Sequence, residues 1–111
     1  MIGILIGGIE NTAKLDAPAD VAIGEFVEIG NAVLVAKAAG KSGETVSFGV
    51  GGGIYKVTEA TAGGPTVGSP AYLDDSGDLK GDDGKHVGLT LAKTGDVFTL
   101  AHNPDGSTVS I

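Results

Sequence analysis

The sequence contains no cysteine, no tryptophan and no arginine. Without cysteine the chain forms neither disulfides nor thiolate zinc sites, so its stability depends on core packing and backbone hydrogen bonds. All 7 basic residues are lysines, and the 14 acidic residues give a net charge of −7. Specific nucleic-acid readers rely on arginine, and a negative protein repels the phosphate backbone, so we expect no nucleic-acid partner.

Long hydrophobic runs are also missing. Residues 1–6 are apolar, but no basic residue precedes them and Glu10 follows closely. A signal peptide has a basic segment before its apolar core, and a membrane-spanning helix needs about 20 apolar residues. We therefore expect neither a signal peptide nor a membrane partner, and we interpret the chain as a soluble protein made in a cytoplasm.

Glycine is abundant, with 20 residues among 111, and there are 4 prolines. The longest glycine-free stretch, residues 9–23, is interrupted by Pro18. Glycine costs a helix about 0.5–1 kcal/mol relative to alanine, and an interior proline costs roughly 3 kcal/mol. The composition therefore predicts an all-β fold, a small β-barrel or sandwich of about 8–10 short strands, in a single domain spanning residues 1–111.

Apolar runs and period-two alternation indicate where the strands lie. The predicted strands are residues 2–6, 11–15, 24–29, 32–36, 45–50, 54–57, 70–73, 87–91, 97–101 and 108–111. Turns are predicted around 16–20, 61–69, 74–84 and 103–106, which are rich in glycine, proline and aspartate. The triplet Gly51-Gly52-Gly53 is expected to interrupt the strand after Val50, as a bulge or a tight bend.

The residues needed for catalysis do not occur in a recognisable arrangement. His86 and His102 are the only histidines, and we expect both to be exposed or at a strand edge. No Gly-x-Ser-x-Gly segment is present, and the glycines before Ile54 are followed by a strand pattern where a dinucleotide site needs a helix. The sequence therefore predicts a protein that is not an enzyme and binds no cofactor.

The acidic segment after residue 73 is a candidate calcium loop. Asp74, Ser76 and Asp78 have the alternate spacing of an EF-hand, but Leu79 stands where glycine is required and Lys85 where glutamate is required. We therefore expect a solvated turn and no metal site.

Seven short segments occur in an order that resembles the tailed-phage capsid decoration proteins, also called cement or head-stabilising proteins. The resemblance covers about residues 20–100, and Tyr72 is followed by leucine where the family usually has tryptophan. The segments are Gly24-Glu25-Phe26-Val27, Val35-Ala36, Gly43-Glu44-Thr45-Val46, Gly53-Ile54-Tyr55-Lys56-Val57, Val67-Gly68-Ser69-Pro70-Ala71-Tyr72-Leu73-Asp74, Gly77-Asp78-Leu79 and Val87-Gly88-Leu89.

The resemblance implies a compact β-barrel or sandwich that binds the outside of the assembled phage head and stabilises it. The implied partners are the major capsid protein and further copies of the chain, as a homo-dimer or homo-trimer, and the implied location is the outer capsid surface of the virion. It implies no catalytic residues. Alternatives are another structural β domain of the virion, in head completion, tail or fibre, or a carbohydrate-binding barrel.

Within residues 1–10 the apolar side chains Ile2, Ile4, Leu5 and Ile6 are the candidate partner interface. Such an arm pairs with a capsid strand by edge addition, in which main-chain hydrogen bonds supply affinity. The alternative is that this segment is a buried core strand.

Overall fold

The structure, a computed structural model, describes residues 1–58, 64–104 and 108–109, which form nine β-strands. They are β1 (Gly3–Asp16), β2 (Phe26–Ile29), β3 (Ala32–Ala36), β4 (Thr45–Thr58), β5 (Pro70–Leu73), β6 (Leu79–Lys80), β7 (Gly84–Thr94), β8 (Val97–His102) and β9 (Thr108–Val109). The all-β prediction is confirmed. Among the described residues there is no helix of the length and hydrophobicity that crossing a bilayer requires.

All nine strands of the described residues belong to one antiparallel sheet, in which β4 is central. β1 pairs along one edge of β4, while β3 and β8 share its other edge. The sheet order is β2-β3-β4-β8-β7-β5-β6, with β1 added to β4 and β9 added to β7. The sheet curls into a half-barrel, so that β3 also contacts β7.

Two groups of buried side chains pack against the sheet, and β3 contributes to both: Val33 and Val35 from one face and Leu34 and Ala36 from the other. The smaller packs around Phe48 and Leu34, near the first half of β4. The larger consists of Phe26, Val33, Val35, Tyr55, Val57, Ala71, Leu73, Leu79, Val87, Phe98 and Leu100. Burying each large apolar side chain contributes about 1.5–3 kcal/mol, so these two groups supply the main stabilising term of a chain without disulfides.

The glycine triplet does not end its strand, and this part of the prediction is wrong: β4 continues from Thr45 to Thr58. The predicted strands 2–6 and 11–15 likewise join into β1. The predicted bulge is present, because the register between β1 and β4 shifts around Gly8 and Asn11. Gly8 and Gly52 have φ angles of 70° and 104°, and each lies so close to a carbonyl of the opposite strand that a Cβ atom would collide with it. Only glycine allows both strands to pass through this bulge unbroken.

Most other predicted boundaries agree with the structure to within a few residues. β5 coincides with its predicted range, and the predicted loop 74–84 contains the two-residue strand β6. β9 lies at the start of the predicted strand 108–111, whose last two residues lie outside the described part. The turns predicted for 61–69 and 103–106 include residues 61–63 and 105–106, which also lie outside it.

Candidate interaction surface

The four residues predicted as the partner interface lie on the surface at the start of β1. Ile2, Ile4, Leu5 and Ile6 are 55%, 69%, 44% and 52% exposed, so the segment is not a buried core strand. Two more exposed isoleucines adjoin them in sequence or space, and we call the six together the N-terminal apolar surface: Ile2, Ile4, Leu5, Ile6, Ile9 and Ile23. Contiguous exposed apolar residues of this kind mark interaction sites in soluble proteins.

The strand that carries this surface lies at an edge of the sheet. Residues 1–3 hydrogen-bond to residues 24–26, with Gly3 N–H donating to the Gly24 carbonyl and Phe26 N–H to the Met1 carbonyl. From Ile4 to Asp16, β4 is the only strand partner of β1 among the described residues. An exposed edge presents unpaired main-chain groups to which another chain can add.

A shallow hollow of about 320 Å³ adjoins the point where the free edge begins. Leu5, Ile23 and Tyr55 are among its lining residues, and Lys37 forms part of its wall. The Lys37 ammonium donates a hydrogen bond to the Tyr55 hydroxyl over 2.8 Å and lies 5.0 Å from the centre of the same ring. The hollow is therefore an apolar depression with one cation at its rim.

Beneath this surface a buried polar cluster fastens β1 to the rest of the sheet. The Glu10 carboxylate accepts hydrogen bonds from the backbone N–H groups of Gly51 and Gly53, and Nδ1 of His102 lies 2.7 Å from Oε1 of Glu10. The other ring nitrogen, Nε2, lies 2.8 Å from the Val33 carbonyl oxygen. The cluster thus connects β1, β3, β4 and β8 at a single point.

The prediction that His102 is exposed or at an edge is wrong, because its side chain is fully buried. Alternation explains the difference: Phe98, Leu100 and His102 face the core along β8, and the two acceptors compensate the burial of the imidazole. Both of its ring nitrogens lie against oxygen atoms inside the core, so the side chain links strands and does not face the surface. His86, by contrast, is half-buried on β7, edge-on to the Tyr72 ring.

Tyr55 extends the cluster toward the hollow. Burial raises the pKa of its hydroxyl above the usual range, and the nearby Glu10 carboxylate raises it further, by its charge and by a hydrogen bond. The hydroxyl therefore stays protonated at all ordinary pH values and can donate to Glu10 while it accepts from Lys37. The hollow and the buried cluster are consequently one connected structure.

The acidic segment forms a turn closed by its own backbone. Oδ1 of Asp74 accepts hydrogen bonds from the N–H groups of Ser76 and Asp78 at 3.0 and 2.8 Å. No group of three or more metal-ligating side chains occurs among the residues that the structure describes. The spacing that suggests an EF-hand is therefore accounted for by an aspartate that caps a turn.

The aromatic residues are placed for packing. Phe26, Phe48, Tyr55 and Phe98 are buried in the core, and only Tyr72 is half-exposed. Sugar sites generally use exposed rings on which the sugar stacks, and the four buried rings cannot serve this purpose. The structure therefore offers no support for a carbohydrate-binding barrel.

Comparison with known proteins connects this architecture to a family. The sequence model of the family described as phage cement protein matches residues 8–110, nearly the whole chain. Neither the curated proteins nor the solved structures gave a significant match. The family is one of structural proteins of the phage capsid. An exposed apolar surface on an edge strand agrees with such a role. The chain belongs to the phage cement protein family.

Proposed function

We propose that this protein binds the outside of the assembled phage capsid and stabilises the head, with the major capsid protein as its partner. The observation that carries the proposal is the N-terminal apolar surface on an edge strand of a cement-family chain. In the decorated shell, copies of the chain meet one another as dimers or trimers. The protein acts through these contacts and catalyses no reaction.

The energetics suit a contact that is repeated over a lattice. Burying one exposed isoleucine contributes about 1.5–3 kcal/mol, and association costs at least about 4 kcal/mol of lost motional freedom. The few isoleucines of one copy therefore support modest affinity, whereas copies that bridge neighbouring shell subunits add their contributions across the particle. The net charge of −7 keeps the free protein soluble before it binds.

The proposal is tested by comparing phage heads that lack this protein with the same heads after the purified protein has been added back. Decorated heads are expected to retain their DNA at higher temperature and for longer under chelation than bare heads. The proposal fails if the protein does not co-sediment with heads, or if bare and decorated heads release DNA at the same temperature.

The contact surface is tested by the double variant Ile4→Ser, Ile6→Ser. Both side chains are more than half exposed, so the free energy of unfolding is expected to change by no more than about 0.5 kcal/mol per site. Loss of their burial against the shell is expected to weaken head binding about tenfold or more, measured by co-sedimentation over a range of protein concentrations. Val67→Ser, which removes a 59% exposed apolar side chain outside the N-terminal apolar surface, is the control and is expected to bind normally. Normal binding by the double variant would place the contact elsewhere.

A further inference from the structure

The outer face of the sheet carries apolar side chains where polar ones are usual. An antiparallel sheet with one face on a core normally alternates between apolar inward positions and polar outward positions. Here Ile54 lies between buried Gly53 and Tyr55, Leu89 between buried Gly88 and Thr90, and Ala101 between buried Leu100 and His102. The three residues with intermediate or high exposure therefore point outward, and all are apolar.

The strand register places these residues side by side. Pro70 pairs with Leu89, Leu89 with Ala101, Ala101 with Ile54, and Ile54 with Gly7. They form one row across five strands, because directly opposed residues of an antiparallel pair share a face. A hollow of about 290 Å³ at one end of the row is lined in part by Pro70, Leu89 and Ala101.

A second row lies two residues further along the strands. Ile4 pairs with Lys56, Lys56 with Thr99, and Thr99 with Ala92, beside the bulge that contains the 41% exposed Leu91. We call the two rows the outer apolar face: Ile4, Ile54, Lys56, Pro70, Leu89, Leu91, Ala92, Thr99 and Ala101. It shares Ile4 with the N-terminal apolar surface, so the two surfaces are continuous.

The charge on this face is opposite in sign to that of the protein. Lys56 is its single charged residue, whereas the whole chain has a net charge of −7. No carboxylate of the described residues forms an ion pair with Lys56. A face on which the described residues supply apolar side chains, one lysine and no carboxylate fits a partner surface that is apolar and presents a carboxylate.

The dimensions of the face help to identify its occupant. Five strands about 4.8 Å apart span roughly 20 Å, and four residues along a strand span about 13 Å, so the face measures on the order of 300 Å². A stable protein dimer buries about 800 Å² on each partner. A second copy would also bring its own Lys56 and its own negative charge to the contact. The face is therefore too small to hold a homodimer by itself, and its charge would repel a second copy. Its size is sufficient to enlarge the contact that the N-terminal apolar surface makes with the capsid shell.

We propose that the outer apolar face lies against the capsid shell together with the N-terminal apolar surface, and that Lys56 pairs there with a carboxylate of the shell protein. This inference rests on the proposed function and specifies the side of the sheet on which the shell lies. The outer side of β1, β4, β8, β7 and β5 contacts the shell, and the acidic turn around Asp74 lies outside the contact.

The experiment measures binding of purified variants to heads that lack the protein. Leu89→Glu and Lys56→Glu are compared with Asn31→Glu and Lys41→Glu, which make the same charge changes at exposed turn positions outside the face. Leu89→Glu is expected to bind about tenfold more weakly or worse, and Lys56→Glu about fivefold more weakly, while both controls stay within about twofold of the unmodified protein. Thermal melts test whether all four variants are folded, and Lys56→Glu, a substitution at an exposed position, keeps the test informative if Leu89→Glu does not fold.

The outcomes separate this inference from the proposed function. If the unmodified protein does not bind heads, the proposed function is wrong. If it binds and both face variants bind equally well, the outer apolar face is not the contact and the inference is overturned. Sedimentation equilibrium tests the other occupant: a solution dimer that Leu89→Glu dissociates, with head binding unchanged, would assign the face to a second copy and likewise overturn the inference.

Discussion

Replacing Glu10 by alanine is expected to lower the free energy of unfolding by about 3–5 kcal/mol, because several buried groups lose their hydrogen-bond partner and each costs about 1–3 kcal/mol when left unsatisfied. The substitution leaves the N–H groups of Gly51 and Gly53 and one ring nitrogen of His102 without their acceptor, in a site that water does not reach. Because Glu10 fastens β1 to the sheet, head binding is expected to fall as well, at temperatures where the rest of the chain is still folded. Chemical denaturation followed by circular dichroism measures the first effect, and co-sedimentation measures the second.

Two further substitutions distinguish the buried cluster from a general loss of charge. Glu44→Ala removes an exposed glutamate that caps a turn by accepting from Lys41 N–H, and it is expected to cost no more than about 1 kcal/mol. Glu10→Gln keeps the shape and one acceptor oxygen, so its effect should be intermediate. If Glu10→Ala were no more destabilising than Glu44→Ala, the cluster would not hold β1 in place.

Gly52→Ala is expected to lower the free energy of unfolding by about 2–4 kcal/mol, for two reasons that act together. Its φ of 104° is unfavourable for any residue with a Cβ atom. The added methyl group would also collide with the backbone carbonyl of Ile9 on β1, and backbone cannot swing away as a side chain can. The chain must therefore shift β1 relative to β4 at the bulge beneath the N-terminal apolar surface.

A second glycine allows the two reasons to be separated. Gly43 has a φ of 86°, but an added Cβ would meet no atom within 4 Å. Gly43→Ala therefore reports the backbone strain alone, about 1–2 kcal/mol, and the difference between the two variants reports the collision. Equal losses of free energy of unfolding for both would show that β1 and β4 tolerate separation at the bulge.

The strand content could be predicted because it depends on local properties of the sequence. Twenty glycines exclude long helices, and alternation such as Val46-Ser47-Phe48 determines which side chains face inward. The triplet Gly51-Gly52-Gly53 misled the prediction for a physical reason. Glycine usually weakens a strand, but here a second glycine bulge on β1 lies opposite and keeps the pairing intact. No local rule shows that two distant glycine segments will meet.

The buried polar cluster could not be predicted because its members are far apart in the chain. Glu10 and His102 are separated by 92 positions, and each alone is typical of an exposed polar residue. One signal was nevertheless present: Glu10 is the single charged residue among the first 13. A carboxylate that is buried requires a hydrogen-bonding or charged partner, and the two histidines were among the candidates.

Of the residues that form the outer apolar face, only Ile4 was predicted from the sequence to lie at an interface. The apolar character of Ile2, Ile4, Leu5 and Ile6 was evident, and it led to the prediction of an interface at residues 1–10. The contribution of Leu89 and Ala101 was not evident, because an apolar residue in an alternating strand is normally assigned to the core. A β-bulge at Val87 shifts the phase of β7, so that Val87 faces inward and Leu89 outward. Bulges of this kind change which face a residue occupies without leaving a clear pattern in the sequence.

The most direct test of the account is an electron cryomicroscopy reconstruction of heads decorated with this protein. We expect density for the start of β1 and the outer side of β4, β8 and β7 to lie against the capsid shell, with the acidic turn around Asp74 in solvent. A reconstruction in which Ile4, Ile54 and Leu89 face solvent while another side of the sheet touches the shell would contradict it.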